Sequence, residues 1–216
     1  DVNKKWDQKD YTQAYNVLAK LKWEKPYELP LKESQKSGKP FDRMTGLDYL
    51  SFLQDTTVSL NEKAQRISEF TRVYDYWMDV YTVPIIKENR YHREIIEIQI
   101  FNLELMEAMV DLAHQINDSQ DPANAALKSG YGSVKENYLS CLHTNLKTQS
   151  HTSLFLQKDI DHLADVIYTS VIANRPWMDK RDVDSILRSL HLVLDSASSD
   201  HLRRKYTSLE RWLKGA

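Results

Sequence analysis

From Ile85 to Asn117 the chain reads IIKENRYHREIIEIQIFNLELMEAMVDLAHQIN, more than thirty residues without glycine or proline. Ile95, Ile98, Leu105, Met109, Leu112 and Ile116 return to one side of a 3.6-residue helix, so the stretch that opens at Pro84 is expected to be a long amphipathic helix. At about 1.5 Å per residue it would run roughly 50 Å. An apolar stripe of that length cannot stay in water, so the rest of the chain must supply helices to cover it.

The best partner is the stretch from Ser133 to Asn174, which is interrupted by glycine or proline nowhere. Ser133 and Glu136 have the spacing of a capping box. Tyr138, Leu142, Leu146, Leu156, Ile160, Leu163, Ile167 and Val171 form its apolar row, weakest from Thr148 to Ser153, where a bend or break is expected. The predicted fold is therefore all-α, an antiparallel helical bundle built on 84–117 and 133–174, with shorter helices alongside. One domain of 216 residues is expected.

The shorter helices follow from the same periodicity. Asp10 to Lys22 buries Tyr11, Ala14, Tyr15, Leu18 and Leu21, and a short helix covers Leu47 to Gln54. Ser59 and Glu62 open a helix to about Tyr81, with Leu60, Ala64 and Ile67 inward. Asp121-Pro122 marks a helical turn within an otherwise looped 117–132, and Gly130-Tyr131-Gly132 reads as turn chemistry. Pro176 closes the second long stretch. Asp179 to Asp195 and Asp200 to Lys214 complete the set, the last with Leu202, Leu209, Trp212 and Leu213 buried. Residues 25–46 carry Pro26, Pro30, Pro40 and a Ser/Lys/Gly cluster; with Tyr27, Leu29, Leu31 and Phe41 as anchors they read as an extended strap over the bundle.

Charge narrows the partners. A formal net charge of −2 gives no electrostatic case for nucleic acid. No uncharged run approaches the ~18 apolar residues of a membrane span. Cys141 is the single cysteine, so it forms no disulfide within the chain. A sequence that opens at Asp1 points weakly to export, to a periplasm or the cell exterior.

Chemistry-bearing motifs are few. Asp111/His114 and Asp159/His162 are Asp-x-x-His pairs, a spacing that lets two residues of one helix face ligate a metal. A helical wheel turns both pairs away from the apolar rows, so no metal and no cofactor is expected. Glu97, Glu104, Glu107 and Asp111 form an acidic stripe on that same outer face, and His151 and His162 share the outer face of the later helix. Cys141 and His143 diverge on a helix and make no dyad; Cys141 should pack as a small apolar group. His143 and His191 lie between leucines and should be partly buried with one nitrogen bonded. Phosphate loops and Gly-x-Ser-x-Gly elbows are absent from the sequence.

The favoured ligand site is aromatic. Tyr74, Trp77 and Tyr81 share a helix face beside Asp75 and Asp79, and the 25–46 strap could close over them. The functional expectation is a non-catalytic binding or protein-interaction domain for a small molecule or a protein, dimerising if an apolar stripe stays uncovered after the bundle closes. Two alternatives stand beside it: a metal-dependent bundle enzyme using the Asp-x-x-His pairs, and a sensory helical domain of a membrane receptor.

Overall fold

The structure, a computed structural model, describes residues 52–66, 92–150, 155–197 and 199–215. The fold is all-α, with helices packed against one another and no strand among the described residues. Among the described residues five long helices carry it: α1 (His92–Asp118), α2 (Tyr131–Ser150), α3 (Gln157–Asn174), α4 (Lys180–Ser196) and α5 (Asp200–Gly215). Residues 60–66 are also helical, and Pro122–Gly130 forms a 3-10 helix between α1 and α2. Among the described residues no helix is long and apolar enough to cross a membrane.

The α2/α3 hairpin is the middle layer. α2 packs on α1 and α4, α3 packs on α1 and α5, and α4 packs on α5. Cross-helix bonds set the directions: Gln99 to Thr148 and Asn102 to Cys141 run α1 and α2 antiparallel, and Tyr138 to Ser170 and Gln149 to the Ile160 carbonyl do the same for α2 and α3. Lys135 reaches Asp182 and His143 reaches Ser185 and Ser189, so α4 runs parallel to α2. Successive helices thus alternate up and down, as short connections require.

The predicted apolar row of 133–174 is buried throughout, Tyr138, Leu142, Leu146, Ile160, Leu163, Ile167 and Val171 all at 0 % exposure, save Leu156. That row belongs to two helices folded back on each other. The expected weak point between Thr148 and Ser153 is a full reversal: α2 ends at Ser150, α3 begins at Gln157, and Leu156 stands exposed at the start of α3. A helix bent gently could bury its row against α1 alone; folding it back lets both halves bury theirs against α1 and the α4/α5 pair.

α1 departs most from a one-sided stripe. Besides the predicted row, Ile96, Ile100, Leu103, Met106, Val110 and Ala113 are buried, so the helix is apolar on most of its circumference and central to the bundle. The Ser133 box is not used: α2 starts at Tyr131, straight out of the 3-10 helix, and Gly130 and Gly132 are helical instead of forming a turn. The Asp121 side chain does accept from the Ala123 N–H at 2.9 Å, with Pro122 in first position. At the other end Trp212 is exposed and Tyr206 takes the inward place on α5, its hydroxyl donating to Gln149.

α4 is fixed at its start by a complete capping box. Asp179 accepts from the N–H groups of Arg181 (2.7 Å) and Asp182 (3.0 Å), and the Asp182 carboxylate accepts from the Asp179 N–H at 2.9 Å. Lys135 of α2 bridges to Asp182 at 2.6 Å, which ties the cap to the middle layer.

Candidate functional site

The site grows from the flank of α1 that α2 does not cover. Glu104, Ala108, Asp111 and Gln115 follow one another at four, three and four residues and so share a stripe, with Glu107 and Leu112 at its edges. Opposite this stripe runs the segment from Leu53 to Lys63. Its turn is built locally: the Asp55 carboxylate accepts from the Thr57 N–H at 2.8 Å and the Thr57 hydroxyl at 2.7 Å. Ser59 then accepts from the Glu62 N–H at 3.2 Å and starts the helix at Leu60, which is the Ser half of the predicted capping box.

Between these two walls lies a cleft of about 570 Å³, a size suited to a small organic ligand. Leu53, Val58, Leu60, Ala108 and Leu112 supply its apolar surface; Lys63, Glu104, Glu107 and Asp111 supply its charges. Lys63 lines the cleft and is 3 % exposed as a whole residue.

Burial pushes the Glu104 carboxyl above its ordinary value, against the pull of nearby His162. Burial pushes Glu107 up too, its neighbours Glu104 and Asp111 adding to the effect while hydrogen bonds from Ser170 and Asn174 resist it. These two acids were expected on a solvated outer face. They are half-buried because α3 packs on that side of α1 and brings His162, Ser170 and Asn174 to them.

Glu107 is the inner end of a polar chain that enters the core. Its carboxylate accepts from the Asn174 Nδ2 at 3.2 Å, and the Asn174 Oδ1 accepts from the Trp177 Nε1 at 3.1 Å. The Ser170 hydroxyl pairs with the fully buried Tyr138 hydroxyl at 2.7 Å. The Trp177 ring meets Tyr138 edge-on at 5.2 Å and His114 at 6.2 Å. Each link fixes the rotamer of the next, so the carboxylate is held by the packing of three helices.

Other sequence candidates separate. Cys141 is buried and accepts from the amides of Asn102 (3.1 Å) and Asn145 (3.4 Å); burial pushes its thiol up to about 12. His143 bonds a hydroxyl at each nitrogen, Ser189 at Nδ1 (2.8 Å) and Ser185 at Nε2 (3.1 Å). A neutral ring needs one donor and one acceptor, which two hydroxyls supply; burial and then Arg188 hold its pKa below the ordinary value. His191, expected to be partly buried, is exposed and pairs with Glu210 of α5 at 2.8 Å. His162 and Asp111 are not brought into a metal set: among the described residues no three His, Cys, Asp or Glu side chains could hold a metal ion. The predicted aromatic site, Tyr74, Trp77 and Tyr81, lies outside the described residues, as does the 25–46 strap.

Lys63 escaped the sequence reading although its position was visible. Leu60, Lys63, Ala64 and Ile67 share one helix face, so a lysine stood in a row assigned to the core. Comparison with known protein families, with curated proteins and with solved structures finds no match to this chain.

Proposed function

We propose that the protein is a non-catalytic helical binding domain and that the cleft between 53–63 and α1 is its ligand site. The observation that carries this reading is a cleft of ligand size with Lys63, a 3 % exposed residue, on one wall and the half-buried Glu104 and Glu107 on the other. Charges of both signs lining one concave space are suited to fix the orientation of a polar ligand.

The reactive groups elsewhere support binding over catalysis. The one thiol is buried and held protonated, and His143 has both nitrogens engaged. Titrating isotopically labelled protein with a fragment library, followed by backbone amide shifts, tests the reading. Shifts clustered on 53–63 and 104–115 are expected. Saturating shifts confined to other surfaces, or none with any fragment, would refute it.

A further inference from the structure

The two walls of the cleft differ in sign, and this asymmetry selects a ligand class. Lys63 is the single cationic side chain lining the space among the described residues; Glu104, Glu107 and Asp111 stand on the other side, along one stripe of α1. A purely cationic ligand would satisfy the acids and bring its charge up against the Lys63 ammonium. An anion would pair with Lys63 and face three carboxylates. Both arrangements leave a charge uncompensated in a half-closed space, where screening by water is weak.

From the placement of these charges we infer that the cleft takes a zwitterion of the α-amino-acid type, with its carboxylate on Lys63 and its ammonium against the acidic stripe of α1. The inference rests on the cleft being the ligand site and adds the chemistry of the occupant. Leu53, Leu60 and Leu112 then offer an apolar surface for a side chain, and the volume leaves room for one larger than a methyl group. Glu107 is suited to orient an ammonium group because Asn174 and, behind it, Trp177 hold its carboxylate in place. Asp111, more exposed, completes the acidic wall at the mouth.

The test uses the full chain and calorimetric titration with each of the twenty amino acids, followed by the amine and the carboxylic acid that correspond to the tightest of them. At least one amino acid is expected to bind, ten-fold or more tighter than either its decarboxylated or its deaminated analogue. Lys63→Met should remove that advantage over the amine while leaving the affinity for the amine within two-fold. Failure of all twenty amino acids to bind overturns the inference, and so does an amine that binds the native protein as tightly as its parent. In the second case amide shifts on 104–115 would show that the cleft still binds, so only the ligand class falls. Because the analogue comparison is made on the native protein, it decides the matter even if Lys63→Met does not fold.

Discussion

Cys141 shows how far a side chain's surroundings outweigh its intrinsic chemistry. Burial raises its thiol to about 12, the amides of Asn145 and Asn102 only partly offset that, and Glu107 adds to it, so almost no thiolate exists near neutral pH. An aromatic disulfide reagent should therefore label native protein at the rate of unfolding and label urea-unfolded protein at once; rapid stoichiometric labelling of the native state would show that the α1/α2 seam is open. Tyr138 makes the complementary point, since its ring is fully buried and its hydroxyl pairs with Ser170 at 2.7 Å. Tyr138→Phe keeps the edge-on contact with Trp177 and deletes that bond, so urea denaturation should register a loss of about 1 kcal/mol. A cost near zero would mean that Ser170 is satisfied without it. At this scale sequence was a partial guide. Spacing alone put Cys141 in the core and separated it from His143, whereas Glu107 was assigned to solvent because a helical wheel shows which residues share a face and not which helix comes to cover it. Lys63 was overlooked for the converse reason: its charge argued for solvent while its position argued for the interior, and position prevailed.

Helix ends and helix faces differed in legibility. The start of α4 was plain in Asp179, because a cap is a local bond between a side chain and nearby N–H groups and needs no tertiary context; α5 starts at Asp200 as expected, but its cap is Ser199, whose Oγ accepts from the His201 and Leu202 N–H groups. The Asp182 carboxylate serves both the cap and the bridge to Lys135. Asp182→Ala should thus lower stability by about 1 kcal/mol, measured as a shift in the urea midpoint with unchanged slope. Lys135→Met should recover part of that loss in the double variant, since it removes a cation left with the longer contact to Asp179, at 3.5 Å; strict additivity would show that cap and bridge are independent. Faces were harder. The all-α class and the apolar row of α2 and α3 followed directly from periodicity, but the reversal between them did not: the polar run from Thr148 to Ser153 marks a weak point without saying that the chain folds back there. Trp212 and His191 fail likewise, since α4 and α5 lie at one edge of the bundle and keep an outer face in water. Two-sided burial of α1 was written in Ile96, Ile100, Leu103 and Met106, residues that a search for a single stripe passes over.

Among the described residues the carboxyl groups with shifted values fall into two sets that act oppositely on stability. Glu104 and Glu107 have folded-state values raised above the ordinary 4.5, so the folded chain binds more protons than the unfolded one and gains stability as pH falls from above those values towards 4.5. Asp165, Asp179 and Glu210 are depressed. For Asp165 burial works the other way but hydrogen bonds from Lys205 and His201 prevail; for Asp179 the Asp182 N–H leads; for Glu210 Lys214 leads, then His191. Their contribution is complete above ordinary carboxyl values and disappears as pH drops through the depressed ones. His143, lowered by burial, opposes the first set, since stability is lost as pH falls from 6.5 to its folded value. Glu107→Gln separates these contributions, because it leaves His143 and the three paired acids in place and so cancels them from the difference between the two proteins. The amide oxygen still accepts from Asn174 and the new N–H groups can donate to Ser170, while the cost of a half-buried charge disappears. The variant should therefore be more stable than the native protein at pH 8, with a gain that shrinks steadily as pH approaches 4.5, each kcal/mol corresponding to about 2–4 °C in Tm for a chain of this size. Urea midpoints of both proteins from pH 4 to 8 measure the difference directly. A variant that is less stable at pH 8, or a gain that does not vary with pH, would mean that Glu107 is ionised at no cost and that the inner wall of the cleft is wet.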